Sequence, residues 1–526
     1  MKSHSKSFLF NLSVFDIFWV LVVSLLYLFI YGYIFDEKIN LNGDNMGYYA
    51  MGKNIASGKG FSYAYDISAM RQNEPVGYPI LIAAILLISD EMNLISLANG
   101  VFMLGTLLLL IGIGWRLALP KGPWVITLLF IIFNPSIMQY AYIHMSEGLY
   151  LFFSLLGVYL FMRLRPEKPY ERQAVFYFMA LALLIMYFTR TAGITLMLSV
   201  VIYLSYQKKY LASLILTGLF IVTIVGWNLN APASNRYLQA VTLVNPYDPG
   251  QGKLTFKSAV GRFVSNLDRY TGKEIPSVIV PFLKIEQSKP AKATHYIIGI
   301  AVALSTLFGL WFKFPKQPVR LMIFLYLAGS ITMLLLWPTQ WFGSRFITPL
   351  IPLSILFGIK GLFDSASWFA DKMRRPYIAW TPWALLITLP LFFGTTSGRQ
   401  LNPNTVFGAH LNAKAKYPPA YQRFFDLGRW ARTNFPPNSV VASRKPTLFY
   451  YTYMGYTCYY PTNSRNTAEF MEGLKASKAT HLVMEELGYK TTPYLSFFIN
   501  NLPQNFQLMH TIPGPDTKIY KILYPQ

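Results

Sequence analysis

The sequence predicts a polytopic α-helical membrane protein that carries a small soluble α/β domain at its C-terminal end. Of the 526 residues, 53% are hydrophobic and only 13% are charged, whereas soluble proteins are about 25% charged. Apolar runs long enough for a helix to cross the hydrocarbon recur between residues 17 and 396. Residues 401–526 lack such runs and have soluble character.

The apolar runs predict about eleven transmembrane helices. The first run is too long for a signal-peptide core, and it lacks a small-residue cleavage site, so we interpret it as a membrane span. The predicted spans are 17–35, 95–115, 123–142, 148–162, 174–189, 191–206, 210–229, 295–312, 321–338, 345–362 and 377–396.

Basic residues in the short loops predict the orientation. The clusters rich in Lys and Arg all fall on the same side as the N-terminus, which the positive-inside rule makes cytoplasmic. Segment 77–88 is apolar but short, and counting it as a span would place those clusters outside. We therefore expect an interfacial or re-entrant helix there. Cytoplasmic loops, together with an anionic lipid partner, account for the net charge of +23 without nucleic acid.

The predicted organisation is a transmembrane module at 1–400, with external loops 36–93 and 230–294, followed by an extracytoplasmic domain at 401–526. Alternating helices and strands predict an α/β fold for that domain. The expected helices are 421–434 and 467–476, and the expected strands are 439–443, 481–484, 506–511 and 518–523. With no Gly-rich phosphate loop and no Cys/His metal spacing, we assign this domain an accessory role in acceptor binding or packing.

The stretch most suggestive of chemistry is Asn42-Gly43-Asp44-Asn45, just beyond the predicted outer end of the first helix. A carboxylate at the water–lipid boundary could accept a proton from an acceptor hydroxyl while a lipid-linked donor stays in the bilayer. The alternative is that Asp44 only caps a helix that starts near Asn45.

The serial order of motifs resembles the GT-C superfamily of polyprenyl-phosphate-sugar-dependent glycosyltransferases, above all its protein O-mannosyltransferase and lipid A aminoarabinose transferase branches. No single motif is specific, and the resemblance covers about residues 10–400. The first loop of the family often has an Asp-Glu pair where this chain has Asp44-Asn45. The matching positions are Asp44, Glu74 and Tyr78 in the run 74–79, Glu147 in 145–148, Arg190 in 189–193 and Arg345 in 345–353.

The resemblance implies inverting transfer of a sugar from a polyprenyl phosphate to an acceptor hydroxyl. Asp44 would be the general base, and Glu147 would orient a substrate or tune that base. Arg190 and Arg345 would hold the phosphate, because an arginine fork suits phosphate oxygens. Arg71 and the basic residues of loop 230–294 are further candidates for holding the phosphate, and the resemblance places Glu74 and Tyr78 in a substrate-binding segment. No metal ligands are assigned, and a divalent metal is left open because some relatives use one.

Each of these residues also has a structural interpretation. Arg190 and Arg345 could anchor helix ends at the lipid head groups by snorkelling. Glu147 could be a first-turn carboxylate favoured by the helix dipole. His144 and His295 lack metal-ligand spacing, so interfacial packing is expected for both.

Two other functions fit the same class of protein. A flippase or transporter of lipid-linked saccharides would place ionisable groups near the bilayer midplane, yet the predicted span interiors are nearly free of charge. An envelope polysaccharide polymerase or ligase stays open because of Arg262 and Arg269. The expected location is the bacterial cytoplasmic membrane, with the active site outside. The partners would be membrane lipids, a polyprenyl-linked sugar and a glycan, lipid or protein acceptor.

Overall fold

The fold was analysed in a computed structural model. The structure describes residues 14–35, 39, 41, 43–68, 75–229, 241–246, 249–283, 285–286, 288–312, 319–388, 417–461, 466–488, 491–514 and 516–524. The chain divides into two compact units, the first drawn from Met1–Asp36, Asn73–Gly77 and Asn93–Phe407, and the second from Glu37–Gln72, Tyr78–Met92 and Gly408–Gln526.

Most of the chain is helical. Up to residue 388 the helices are α1 (Val14–Ile34), α2 (Asp44–Ala56), α3 (Gly77–Leu86), α4 (Asn93–Arg116), α5 (Lys121–Phe133), α6 (Pro135–Met138), α7 (Glu147–Phe161), α8 (Ala174–Thr189), α9 (Ile194–Tyr206), α10 (Tyr210–Leu229), α11 (Phe256–Arg269), α12 (Ile275–Ile279), α13 (Ala293–Trp311), α14 (Val319–Leu335) and α15 (Ile351–Met373). A π-helix at Tyr270–Glu274 joins α11 to α12, and Pro376–Thr388 is a 3-10 helix.

Several helices could cross a membrane by length and composition. In the described part of the chain these are α1, α4, α10, α13 and the segment Ser344–Met373, and a bent pair at 121–141 would make a sixth. The helices α7, α8, α9 and α14 are apolar but shorter. The protein is thus a polytopic helical membrane protein, and the count of about eleven spans stays a prediction. The last predicted span, 377–396, runs partly outside the described residues.

The predicted span 123–142 is broken. Helices α5 and α6 meet near Asn134 in a bend of 65°. Pro135 has no N–H to continue the ladder of α5, and the buried Asn134 side chain takes over part of the polar pairing. Its carboxamide accepts from the Ser136 amide at 2.9 Å and donates to the Val278 carbonyl at 2.8 Å. The length of the apolar run, on which the predicted span was based, gave no indication of this break.

Helix α15 is the buried centre of the first unit. The hydrophobic window of its segment is 78% buried, against 22% for α1, α10 and α13. Helices α13 and α15 touch through glycine, since a Cβ on Gly309 would meet the Phe357 carbonyl and one on Gly361 would meet the Ser305 carbonyl. Small residues allow such close approach of helices within a membrane.

The end of the chain forms a mixed sheet with helices. Its elements are α16 (Pro419–Asn434), β1 (Val440–Ser443), α17 (Pro446–Tyr453), β2 (Tyr456–Tyr459), α18 (Thr467–Ala476), β3 (His481–Met484), α19 (Thr491–Asn501), β4 (Phe506–Ile512) and β5 (Thr517–Ile522). The strand order is β2-β1-β3-β5-β4; β1 is parallel to β2 and β3, and β5 is antiparallel to β3 and β4. Each predicted strand coincides with an observed one to within a residue.

The segment after the first helix belongs to the same unit as this sheet. Helix α2 packs on α17, and a Cβ on Gly43 would lie 2.8 Å from the Thr447 hydroxyl. The Thr457 amide of β2 donates to the Tyr65 carbonyl at 3.0 Å, and the Tyr65 ring lies 5.7 Å from that of Tyr450. The C-terminal domain therefore holds the start of the helix that carries Asp44.

Candidate functional site

Glu147 and Arg190 form a buried ion pair in the first unit. Glu147 is the first residue of α7 and is 1% exposed. Arg190 Nη1 lies 2.6 Å from Glu147 Oε1 and 3.4 Å from the Ser146 hydroxyl. Among the described residues, Glu147 Oε2 has no hydrogen-bond partner. The pair thus keeps one carboxylate oxygen available for a further donor.

A sharp corner between α8 and α9 presents Arg190. Arg190 ends α8 with extended backbone angles, and its carbonyl accepts from the Gly193 amide at 2.9 Å. A Cβ on Gly193 would lie 2.9 Å from Met186 Cε and 3.1 Å from Tyr187 Cα. The Thr-Arg-Thr-Ala-Gly motif therefore encodes a tight corner, with the glycine permitting the close approach.

Arg345 is brought to the same place. The guanidinium carbons of Arg190 and Arg345 lie 5.8 and 4.9 Å from the centre of the Phe346 ring. Tyr140 interacts electrostatically with Glu147 and both arginines. We call Tyr140, Glu147, Arg190, Arg345 and Phe346 the arginine cluster. Two arginines beside one carboxylate leave a net positive charge, which suits an anionic group such as a phosphate.

The turn that precedes Glu147 is pinned by α4. The Ser96 hydroxyl and His144 Nε2 are 2.8 Å apart, and the Asn99 carboxamide donates to the Ile143 carbonyl at 2.6 Å. His144 is 5% exposed. These bonds agree with the packing role expected for this histidine, and they fix the direction in which Glu147 enters α7.

The Pro75-Val76-Gly77 segment meets the Arg190 corner. A Cβ on Gly77 would lie 2.7 Å from the Thr189 hydroxyl oxygen and 2.8 Å from the Thr189 amide nitrogen. Only glycine at position 77 allows this close approach. The segment around Gly77 and the motif that contains Arg190, far apart in the sequence, therefore lie side by side. Arg71 and Glu74, the predicted binding residues just before this segment, lie outside the described residues.

Asp44 lies in the second unit, where it is exposed. The alternative role for Asp44, as the cap of its helix, is wrong, because α2 begins at Asp44 itself and the N-cap is Gly43, with a φ of 101°. Asp44 thus stands in the first turn, where the helix dipole favours a carboxylate. Asn45 is fully buried, and its carboxamide lacks a hydrogen bond within the described ranges. Tyr78 is also fully buried, 5.3 Å from the ring of Tyr48 on α2.

The two arginines that suggested a polymerase have packing partners. Arg262 is 5% exposed and donates to the carbonyls of Val241 at 2.9 Å and Leu336 at 3.3 Å. Arg269 donates to the Thr339 carbonyl at 3.3 Å. Both side chains thereby fasten α11 to the segment that follows α14, so Arg262 is explained by packing.

Sequence analysis missed several contributors to the site. Phe346 and Tyr140 complete the arginine cluster, and the Ser146 hydroxyl contacts Arg190. Of these, Phe346 and Ser146 had a signal in the sequence, as neighbours of predicted residues. Glu274 was also missed, although it is a buried carboxylate in a basic loop. Within the described residues, no group of three or more His, Cys, Asp and Glu side chains is suited to a metal ion.

The helical membrane module and the C-terminal sheet domain have the fold of two solved glycosyltransferases of the GT-C type. The chain resembles ArnT, the lipid A aminoarabinose transferase, from Cupriavidus metallidurans, solved bound to undecaprenyl phosphate. The TM-score is 0.55 at 13% identity, over 97% of this chain and 99% of that one. The apo state of ArnT gives 0.54.

A second glycosyltransferase shares the fold. The mycobacterial arabinofuranosyltransferase AftD gives a TM-score of 0.52 at 12% identity, over 96% of this chain, which spans 40% of AftD. No protein-family model matches the sequence, and no curated protein matches it either. At such low sequence identity, the structural matches establish a shared fold alone. The substrates must therefore be inferred from the residues of this chain.

Proposed function

We propose that the protein is an inverting glycosyltransferase that moves a sugar from a polyprenyl phosphate to an acceptor hydroxyl on the outer face of the membrane. The observation that carries this is the arginine cluster, set in a fold shared with an enzyme solved bound to undecaprenyl phosphate. The fold supports transfer from a polyprenyl-linked donor, and the cluster offers cationic groups for the phosphate of that donor.

In the proposed reaction, the acceptor oxygen forms a bond to the anomeric carbon as the bond from that carbon to the phosphate oxygen breaks. A single displacement inverts the anomeric configuration. The acceptor proton passes to a carboxylate, which we assign to Asp44, and the electron pair of the broken bond leaves with the polyprenyl phosphate.

The leaving group explains why one carboxylate suffices. A glycosidase needs a second carboxyl to protonate a poor alkoxide leaving group, whereas a phosphate leaves as an anion that positive charge stabilises. We assign this stabilisation to Arg190 and Arg345. The carboxylate of Glu147 fixes Arg190, and its second oxygen is left to orient a substrate hydroxyl.

The test is an assay of the purified protein, in nanodiscs, against labelled undecaprenyl phosphates that carry different sugars. We expect transfer from one of them, loss of transfer in Asp44→Asn, and inverted configuration in the product. Asp90→Asn, which removes another exposed carboxylate of the same predicted loop, should retain activity. Full activity in Asp44→Asn would defeat the assignment, and lipid flipping without transfer would favour a transporter.

A further inference from the structure

Glu274 is a buried carboxylate that lacks hydrogen-bond donors. It is 1% exposed, and neither carboxylate oxygen has a hydrogen-bond partner among the residues that the structure describes. The nearest cation is Arg269, whose Nε lies 3.6 Å from Oε1, an ion-pair distance that is too long for a hydrogen bond. Burial raises the pKa of Glu274 above its ordinary value. A buried carboxylate without hydrogen-bond donors requires an explanation, because nearly all buried polar groups in proteins have a hydrogen-bond partner.

A second acceptor without a donor lies in the segment that Arg269 contacts. Arg269 donates to the Thr339 carbonyl, and the next residue, Gln340, has a buried carboxamide oxygen with no partner in the described part of the chain. The Arg269 guanidinium also stacks 3.6 Å from the centre of the Phe342 ring, which is 46% exposed. The Arg269 guanidinium thus has hydrogen-bond acceptors without donors near it, together with an accessible aromatic face.

The backbone at this point is irregular but firmly held. Glu274 closes the π-helix, a form that is rare and often found at functional sites. The π-helix packs on α13, where Gly299 leaves room for the Thr271 carbonyl, and a Cβ on Gly272 would lie 2.8 Å from Cβ of Ala291, just before α13. This packing holds the backbone of the π-helix that Glu274 closes.

The same region adjoins the arginine cluster. Helix α12, which directly follows Glu274, packs against the Ser344–Phe346 turn that carries Arg345. All of these residues belong to the first unit. A ligand whose anionic group lies at Arg345 could therefore extend toward Glu274.

The chemistry of the acceptors selects the ligand. Several oxygens that need donors are matched by a molecule with several hydroxyl or amino groups in a small volume. A sugar has this property, and its C–H face can also pack on an aromatic ring. A bound cation fits less well, because it would want several oxygen ligands, including further carboxylates, and no acidic cluster exists among the described residues.

We propose that Glu274, Gln340 and Arg269 form a subsite for the sugar of the lipid-linked donor. This inference rests on the proposed function, since it takes Arg345 as a ligand of the donor phosphate. Glu274 would accept hydrogen bonds from sugar hydroxyl or amino groups, and Gln340 would accept one more. The subsite is thereby a determinant of which sugar is accepted.

The experiment measures affinity for the full-length protein in nanodiscs. The probes are undecaprenyl phosphate alone and undecaprenyl phosphate that carries mannose, glucose, arabinose or aminoarabinose. The variants are Glu274→Gln, which keeps shape and removes charge, and Gln340→Leu. Glu286→Gln is the matched control, because Glu286 is exposed and lies in the same predicted loop.

We expect the wild type to bind one sugar-bearing lipid at least tenfold more tightly than the bare lipid. Glu274→Gln should reduce the preference for the sugar-bearing lipid by about tenfold, as loss of a charged hydrogen bond predicts. The affinity for the bare lipid should stay unchanged. Gln340→Leu should reduce the preference less, and Glu286→Gln should leave it intact.

The outcomes separate this inference from the proposed function. The subsite would be overturned if Glu274→Gln changed neither the affinity for the bare lipid nor that for the sugar-bearing lipid, or changed both equally. A wild type with no preference for any sugar-bearing lipid would also overturn it. A rise only in the acceptor KM would overturn its assignment to the donor. Arg345→Gln tests the function itself: unchanged affinity for undecaprenyl phosphate would remove the phosphate role, whatever Glu274 does.

Discussion

The Glu147–Arg190 pair gives the sharpest stability prediction, because its two members differ in exposure. The Glu147 side chain is 1% exposed and the Arg190 side chain is 16% exposed. Removing the arginine strands a buried carboxylate, whereas removing the carboxylate leaves an arginine that can still reach Phe346 and solvent. The two single substitutions should therefore not cost the same.

Arg190→Met should destabilise the protein by about 3–5 kcal/mol, the usual cost of breaking a buried pair from one side. Glu147→Gln should cost about 1–2 kcal/mol, since the carboxamide oxygen still accepts from Arg190. The double variant leaves no buried charge, so it should cost less than the sum of the singles by about 2 kcal/mol.

The assay is equilibrium unfolding in mixed detergent micelles, followed by circular dichroism and intrinsic tryptophan fluorescence. The exposed pair Glu286–Lys289, with oxygen and nitrogen 3.0 Å apart and side chains 58% and 71% exposed, serves as a control. Glu286→Gln should leave the free energy of unfolding unchanged, because exposed pairs contribute little. Equal costs for Arg190→Met and Glu147→Gln, adding up in the double variant, would refute the reasoning.

Three further predictions concern other parts of the chain. Gly43→Ala should lower kcat and loosen α2, measured by amide exchange, because the positive φ of residue 43 disfavours a side chain and the new Cβ would meet the Thr447 hydroxyl. Combining Gly43→Ala with Thr447→Ala should recover part of the loss. Strictly additive effects of the two substitutions would contradict the contact. Burial lowers the pKa of His481 from 6.5 to about 4, so the unfolded chain binds the extra proton between these values, and stability should fall by at most about 3 kcal/mol as pH drops through that window. Denaturant unfolding followed by tryptophan fluorescence across this pH window measures this, and His481→Gln should abolish the trend. Gly361→Leu should prevent α13 from packing on α15, seen as aggregation on gel filtration; a monodisperse variant would contradict this packing.

The sequence predicted those features that depend on local pattern. Helix α18 begins and ends at the predicted residues, and β4 and β5 lie within one residue of the predicted strands. Alternation of side chains and turn residues is visible in a single stretch of chain, so these elements could be found without tertiary information.

Features that depend on distant partners were not predictable. Pro135 is a local signal for the break at Asn134, but the Val278 carbonyl that accepts from the Asn134 carboxamide lies far along the chain and could not be predicted. The N-cap of α2 is Gly43, and the approach of this glycine to Thr447, about 400 residues away, could not be predicted from the local sequence. Glu274 gave no signal, since its significance lies in the donors that are missing around it in space.

The attachment of α2 to the terminal sheet has a consequence for biosynthesis. The segment with Asp44 leaves the ribosome long before α17 and β2, against which it packs, are made. The early segment must wait outside its final packing while the intervening helices are inserted. A chain truncated before α17 would keep its apolar helices but leave Asp44 without the partner that holds its helix in place.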